Sequence, residues 1–315
     1  MTYAAAIVVH ALIWQLWEPR LQAWGEKAIA WLTGKPVNQT RRFDADGVPV
    51  QFYRRHGLQY NPLFIAAQAN RDYRSRADQS RLRRFRKLTD WLATHAVEEG
   101  EGLWLNYGFD LPSHALKSPW RSALTQACAL SACARRYELE GDGLWLERCQ
   151  QFLNTLQPGA GLCDALADSS LWFMEYPGPR EHYVLNGMMG ILLELAETAR
   201  LTGLDTAQSL FDRGYRALIQ LLPEYDFHGF SRYDLSGRIA SRDYHRTHVR
   251  QLRELNALRP DNLLAAYARR WSRADLLPVG LQLFFNPRPK RIAAFLLSLS
   301  LFLLLAWGLA SMYPR

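Results

Sequence analysis

The chain has 315 residues, of which 49% are hydrophobic and 22% are charged. This length and composition are enough to bury a core, which excludes an intrinsically disordered protein and allows one large domain or two ordinary ones. The formal net charge of +8 predicts an anionic partner, and since no nucleic-acid-binding motif accompanies the basic residues, we do not expect that partner to be nucleic acid.

The first 17 residues are uncharged and mostly apolar, and an amphipathic segment, Glu18–Trp31, follows them. The apolar stretch is short for a membrane span, which needs about 20 residues. It also lacks the basic region and cleavage site of a signal peptide. Residues 1–33 are therefore predicted to form an uncleaved hydrophobic anchor that continues into an amphipathic helix.

The middle of the chain is predicted to be mainly helical. A strand-like alternation is confined to residues 38–64, where VPVQFYRR lies between the turn signals DADG and HGLQYNP. From Asp78 onward, apolar residues recur at helical spacing, and Gly141, Gly203 and Pro223 separate the segments. Helix pairs joined by short turns predict an incomplete α/α-toroid over residues 38–275, with a short β segment at 38–64.

The end of the chain carries a second apolar stretch. Ile292–Met312 has 21 residues without a charge and follows the basic sequence RPKR. Residues 290–312 are therefore predicted to form a transmembrane helix. Basic residues beside both apolar stretches lie on the side of the helical domain. The positive-inside rule then predicts an inner-membrane protein whose catalytic domain is on the cytoplasmic side.

Candidate chemistry is concentrated between Trp172 and Gln251, where polar segments separate apolar helical runs. Three tyrosines lie there in separate motifs, Tyr176 in EYP, Tyr233 in YDL and Tyr244 in DYH. A phenol whose pKa is lowered by its surroundings can remove a proton from a carbon next to a carboxylate. Two such phenols on opposite faces of a sugar ring would epimerise that carbon.

The same region allows other interpretations. Glu175 with Asp234 or Asp243 would supply the carboxylate pair of a glycoside hydrolase. His245 and His248 have a metal-like spacing but lack clear further ligands, and the four cysteines fit no zinc motif, so no metal is expected. No glycine-rich nucleotide-binding sequence is present, so no cofactor is expected either.

Several motifs resemble one known family. The segments WFMEYPGPREHYVLNGMMGILLELAE, YDFHGFSRYDL and DYHRTHVRQLRELNAL resemble the catalytic C-terminal region of the D-glucuronyl C5-epimerases. These enzymes convert D-glucuronate to L-iduronate in heparosan and heparan sulfate precursors. YNPLFIAAQA and KSPWRSALTQACALSACARRY are similar to earlier parts of that region. The resemblance spans about Tyr60 to Trp271.

The resemblance implies a membrane-anchored uronate C5-epimerase acting on a heparosan-like polymer by two-base proton removal and return. It points to Tyr176, Tyr233, Tyr244 and Glu175 as catalytic residues, with one base facing each side of C5. It implies, together with nearby basic residues, a larger set of substrate-binding residues. These are Gln126, Arg121, Arg180, Asn186, Arg232, Arg242, His245, His248, Tyr60 and Asn61.

The chain also departs from the family pattern. Ala127 follows Gln126 where the family has glycine, and Met174 stands where a second acid is usual. A polysaccharide lyase or hydrolase on the same scaffold is therefore kept as an alternative, as is a non-catalytic polysaccharide-binding subunit of a capsule synthesis complex. Further expected partners are the membrane, the polysaccharide synthesis machinery or a second copy of the chain.

Overall fold

A computed structural model describes residues 3–37, 41–274 and 289–312. The chain divides into two compact units, one made of Met1–Asn38 with Arg273–Arg315 and the other of Gln39–Ser272. Residues 38–40 and 275, at the edges of the predicted helical domain, lie outside the described residues, as does Arg288 of the predicted basic border.

The first unit contains two long helices, α1 (Tyr3–Thr33) and α10 (Pro289–Met312). They pack together through His10, whose Nε2 lies 2.6 Å from the Ser298 Oγ, and through the buried Trp14 ring, which meets Phe295 edge to face. Within the described ranges, no helix combines the length and the apolarity needed to cross a membrane. The predicted membrane-spanning helix at residues 290–312 is therefore not supported.

The second unit begins with a small antiparallel sheet, as the alternating pattern predicts. Its order is β1 (Arg41–Phe43), β2 (Pro49–Tyr53) and β3 (Gly57–Tyr60). The β1–β2 turn is held by Asp44, whose carboxylate accepts hydrogen bonds from the N–H groups of Asp46 and Val48. The sheet leads directly into the first helix of the domain.

Eight helices of residues 41–274 form four consecutive pairs. The pairs are α2 (Pro62–Arg74) with α3 (Gln79–His95), α4 (Ala123–Glu140) with α5 (Gly143–Asn154), α6 (Leu185–Thr202) with α7 (Asp205–Leu221), and α8 (Arg242–Leu258) with α9 (Asn262–Ala274). Successive first members pack on one another, α2 on α4, α4 on α6 and α6 on α8. These four helices form an inner row, and their partners form the outer layer of an α/α arrangement.

The central position of α4 follows from its sequence. It is rich in Ala, Cys and Ser, and it is buried continuously from Thr125 to Arg136. Small side chains on every face allow close contact with α2, α5 and α6, whereas a helix at the protein surface keeps a polar face. Gly141 and Gly203 end α4 and α6 with φ of +65° and +69°. Both have the left-handed conformation that favours glycine after a helix.

A short β-hairpin precedes each of the last three inner helices. The hairpins are β4 (Val97–Glu99) with β5 (Gly102–Trp104), β6 (Cys163–Ala165) with β7 (Leu171–Phe173), and β8 (Asp226–Phe227) with β9 (Phe230–Ser231). The chain thus repeats one order, hairpin, inner helix and outer helix. The inner helices therefore all begin at the same end of the inner row, and the segments that lead into them meet there.

Candidate active site

The catalytic tyrosines implied by the sequence converge where the inner helices begin. Tyr176 precedes α6, Tyr233 follows β9, and Tyr244 lies in the first turn of α8. Glu175 links them electrostatically, since its charge helps to raise the pKa of all three phenols. It acts in the same way on the pKa of Tyr107, which precedes α4. These five residues define the tyrosine cleft.

Glu175 is the buried carboxyl of the tyrosine cleft, with only 6% of its surface exposed. Burial raises its pKa to about 7, although a hydrogen bond from Tyr176 opposes the shift. Its side chain lies against Gly187 of α6, where an added Cβ would be 2.6 Å from Glu175 Oε2. A carboxyl that titrates near neutral pH can both accept and donate a proton, as a general acid–base catalyst requires.

Tyr176 and Glu175 form the first pair of titratable side chains. The phenol is largely buried, and burial raises its pKa well above the usual range, assisted by the neighbouring charge of Glu175. Its ring stacks on His114, with centroids 4.0 Å apart. His114 in turn meets His182 edge to face at 5.4 Å. Tyr176 is thus held between a carboxyl and an imidazole.

Tyr233 and Tyr244 form the second pair. Their rings meet edge to face with centroids 4.8 Å apart. Burial raises the pKa of both phenols, and the charge of Glu175 raises it further, while the neighbouring tyrosine adds to the shift of Tyr233 and opposes that of Tyr244. Tyr244 is 43% exposed and Tyr233 only 9%, so Tyr244 is the more accessible member of the pair.

The Tyr233 backbone is fixed by the start of α6. The Leu185 N–H donates to the Tyr233 carbonyl at 3.0 Å, and the Tyr233 N–H donates to the Arg238 carbonyl at 2.7 Å. These bonds close the YDLSGR turn and direct the phenol towards α8. The sequence around Tyr233 therefore positions this side chain through backbone hydrogen bonds rather than through packing alone.

Arg238 supplies positive charge beside the second pair. Its guanidinium lies 4.3 Å from the Tyr233 ring centroid and forms an ion pair with the buried Asp234. Its charge also acts on His114, whose pKa is lowered by burial first and then by His182 and Arg238. Arg238 therefore lies close to both pairs of titratable side chains.

Two predicted binding residues lie at the entrance of α2. Asn61 caps the helix by accepting the Phe64 N–H, and its amide donates to the Tyr53 hydroxyl at 2.7 Å. Tyr53 lies close enough to Tyr107 to help raise the pKa of that phenol. Asn61 is therefore connected to the tyrosine cleft through one intervening side chain, that of Tyr53. Tyr60 is exposed, and its hydroxyl donates to Asp44 at 2.8 Å.

The predicted binding arginines have protein partners. Arg121 lies 4.1 Å from the Trp104 ring centroid and hydrogen-bonds to Asn106 and Glu99. Arg180 pairs with Glu224 at 2.5 Å. The two other members of the set flank the second pair, Arg232 before Tyr233 and Arg242 at the start of α8.

Four other predicted binding residues form hydrogen bonds within the helical domain. Both polar atoms of the buried Gln126 amide pair with the Leu105 backbone. The Asn186 carbonyl, in the first turn of α6, accepts a hydrogen bond from Gln251 at 3.0 Å. Contact of His245, His248 and these two residues with substrate stays a prediction.

The two histidines share one serine. His245 Nδ1 accepts the Ser231 N–H, and its Nε2 lies 2.9 Å from the Trp271 carbonyl. His248 Nδ1 lies 2.8 Å from the same serine hydroxyl, and burial lowers its pKa to about 3. Among the residues that the structure describes, no group of three acidic, histidine or cysteine side chains is suited to hold a metal ion.

Sequence reasoning missed Tyr53, Tyr107 and His114. Tyr107 stacks on Trp120 with centroids 3.8 Å apart, and its hydroxyl lies 2.7 Å from Thr125 Oγ1. Each of the three residues lies in a segment that runs into an inner helix. The fourfold recurrence of a tyrosine before an inner helix would have identified Tyr53 and Tyr107, but nothing in the pattern singles out His114.

Two curated proteins are similar in sequence. An uncharacterised protein of Methanocaldococcus jannaschii is 28% identical over 199 residues, which cover 58% of this chain and 64% of that protein. The D-glucuronyl C5-epimerase of Caenorhabditis elegans is 26% identical over 210 residues, covering 59% of this chain and 34% of the nematode enzyme. The chain therefore spans less than two thirds of either relative.

A solved structure supports the fold assignment. The GH76 α-mannanase of Bacteroides thetaiotaomicron superimposes with a TM-score of 0.50 at 9% sequence identity, over 84% of this chain and 72% of that one. At this identity the likeness concerns the α/α fold alone. The sequence profile described as the D-glucuronyl C5-epimerase C-terminus matches residues 100–273, more than half of the chain. The chain belongs to the D-glucuronyl C5-epimerase C-terminus family.

Proposed function

We propose that the protein is a carbohydrate epimerase that inverts C5 of a hexuronate, converting D-glucuronate to L-iduronate within an acidic polysaccharide. The observation that carries the proposal is the pairing of proton carriers in the tyrosine cleft. One pair is Tyr176 with Glu175, and the other is Tyr233 with Tyr244. Family membership supports the same reaction. A site that only bound sugar would not need two coupled pairs.

Tyr244 is the proposed base on the first face of the sugar. Burial and the charge of Glu175 raise the pKa of Tyr244, and the neighbouring Tyr233 and the positive charge of Arg238 oppose that shift. The two opposing effects favour a phenolate. As the C5–H bond breaks, the proton passes to Tyr244 and the bonding electrons move into the adjacent carboxylate, forming an enediolate.

The pair formed by Tyr176 and Glu175 returns a proton to the opposite face. Tyr176 donates to C5 and recovers a proton from Glu175, whose pKa of about 7 permits proton storage at neutral pH. The enediolate electrons form the new C5–H bond, so the substrate is isomerised without gaining or losing atoms. Exchange with water then removes the proton from Tyr244 and returns one to Glu175, which restores the enzyme. Arg238 stabilises the negative charge that develops on the carboxylate, which is commonly the largest contribution to catalysis of this kind.

The proposed substrate is a heparosan-like polymer, because the epimerised unit carries the negative charge that the basic chain would attract. We further propose that the first unit associates with the membrane on its cytoplasmic side, near the polysaccharide synthesis machinery. Exposed apolar side chains on both of its helices support this location. They include Trp24, Trp31, Leu297, Leu305 and Trp307.

The reaction is tested by incubating the full chain with heparosan in deuterated water and following C5 by NMR. We expect deuterium at C5 together with iduronate signals, and loss of both by at least a hundredfold in Tyr244→Phe. Tyr137→Phe is the matched control, since Tyr137 is a partly buried tyrosine of α4 that packs against the core. An unsaturated, ultraviolet-absorbing product would identify a lyase, and absence of exchange in a folded protein would contradict the proposal.

A further inference from the structure

A cavity of about 720 Å³ lies among the four inner helices, each of which contributes to its lining. It is displaced from the tyrosine cleft along the helix axes. On α6, Gly187 touches Glu175, whereas Gly190, Glu194 and Glu197 line the cavity. At a rise of 1.5 Å per residue, these lining residues lie about 5–15 Å further along the helix. The volume is typical of a small-molecule site.

Buried polar groups without partners surround this axial cavity. They are Asn70 Oδ1, Arg135 Nε and Gln251 Oε1, none of which has a hydrogen-bond partner among the described residues. Asn70, Arg135 and Gln251 are each less than 10% exposed. A buried polar atom left unpaired is costly, so three around one cavity indicate an occupant with several hydrogen-bonding groups.

The wall formed by α2 adds positive charge, and the charge of Arg74 acts on Glu197, which also lines the cavity. Arg71 and Arg74 line the cavity and are exposed. No hydrogen bond or ion pair connects either guanidinium to another described residue. Arg135 and Arg250, by contrast, pair with Glu194 and Glu254. Arg71 and Arg74 are therefore the lining arginines without a close ion pair among the described residues, and guanidinium groups suit the planar geometry of a carboxylate.

We propose that the axial cavity is a second binding site, for a polyhydroxy acid of the hexuronate class. The acid group faces Arg71 and Arg74, and hydroxyl groups donate to the unpaired oxygens of Asn70 and Gln251. The choice of a sugar acid rests on the proposed function, but the site is separate from the tyrosine cleft. It gives the acidic polymer or its released fragments a second point of attachment.

Calorimetric titration of the full chain with sodium glucuronate tests the site. We expect the Arg71→Ala and Arg74→Ala double variant to bind at least tenfold more weakly. Arg83→Ala should bind like the wild type, because Arg83 is an exposed arginine of α3 that does not line the cavity. Glucose should also bind at least tenfold more weakly, since it lacks the carboxylate. Unchanged melting temperatures establish that the variants are folded.

Tyr244→Phe separates this site from the tyrosine cleft, and we expect it to retain glucuronate binding. Loss of binding in Tyr244→Phe with no effect of the arginine changes would overturn the second site, as would absence of binding to the wild type. Inorganic phosphate binding as tightly as glucuronate would overturn the assignment to a sugar acid. C5 exchange in deuterated water is scored separately, so arginine-dependent binding without exchange refutes the proposed function alone.

Discussion

At the scale of single residues, the proton on Glu175 connects stability with catalysis. Burial raises the pKa of this carboxyl from 4.5 to about 7. Between these values the unfolded chain loses the proton while the folded protein keeps it, so stability falls as pH rises. We expect the free energy of unfolding of Glu175→Gln, relative to that of the wild type, to increase by about 3 kcal/mol between pH 4.5 and 7.5. Urea unfolding at each pH measures this difference.

The comparison needs a glutamate whose environment is ordinary. Glu224→Gln is suitable, because Glu224 is exposed and pairs with Arg180 at the surface. The pH-dependent gain in stability of Glu175→Gln should exceed that of Glu224→Gln over the same range. A pH-independent difference between Glu175→Gln and the wild type would show that Glu175 is not buried in its neutral form. C5 exchange in Glu175→Gln should fall at least tenfold, because Tyr176 would have no proton store.

His248 should affect stability in the opposite direction. Burial lowers its pKa from 6.5 to about 3, so the folded protein keeps a neutral imidazole while the unfolded chain becomes protonated below pH 6.5. The free energy of unfolding therefore decreases as pH falls, by about 1.5 kcal/mol between pH 6.5 and 5. His248→Asn should lack this loss in thermal unfolding followed across the same pH range. An equal acid sensitivity in both proteins would contradict the assignment.

At the scale of elements, the contact between α6 and the EYP segment places the buried carboxyl. Gly187 allows Glu175 to lie directly on the helix, where a Cβ would approach Glu175 Oε2 and Cβ to 2.6 and 2.8 Å. Gly187→Ala should therefore displace Glu175, lower kcat/KM for C5 exchange at least tenfold and destabilise the fold by about 1–3 kcal/mol.

Gly143→Ala is the control for that substitution. Gly143 is also a helical glycine, in the first turn of α5, and nothing lies within 4 Å of an added Cβ. The alanine should be neutral or stabilising by about 0.4–1 kcal/mol, because it restricts the unfolded chain. Normal activity in a stable Gly187→Ala protein would mean that the carboxyl does not need its place on α6.

How far the sequence predicts these elements depends on their length. The helix pairs and the sheet at residues 41–60 follow from apolar periodicity and turn residues, which act over many positions. The three later hairpins have strands of two or three residues, too short for an alternating pattern. The positions of Tyr176, Tyr233 and Tyr244 follow from motif resemblance, whereas the nearness of Arg238 and His114 depends on tertiary contacts that no local pattern encodes.

At the scale of the whole molecule, the division into two units predicts separable properties. Residues 39–272 hold one main core, with Trp172, Phe173 and Leu192 fully buried. Expressed alone, they should unfold cooperatively and retain C5 exchange, as expected of a unit with its own core. Binding to vesicles of anionic lipid should decrease at least tenfold in a flotation assay. A shortened chain without a cooperative transition would show that the first unit is needed for folding.

The shared starting point of the inner helices has an electrostatic consequence. A helix carries roughly half a positive charge at its N-terminus, from backbone N–H groups that lack intrahelical partners. The capping side chains accept hydrogen bonds from only some of these N–H groups. They are Asn61 at α2, Ser122 at α4 and Ser241 at α8. Four dipoles therefore direct their positive ends towards the tyrosine cleft. The direction in which the chain runs through the inner row therefore favours negative charge in the tyrosine cleft, independently of any charged side chain.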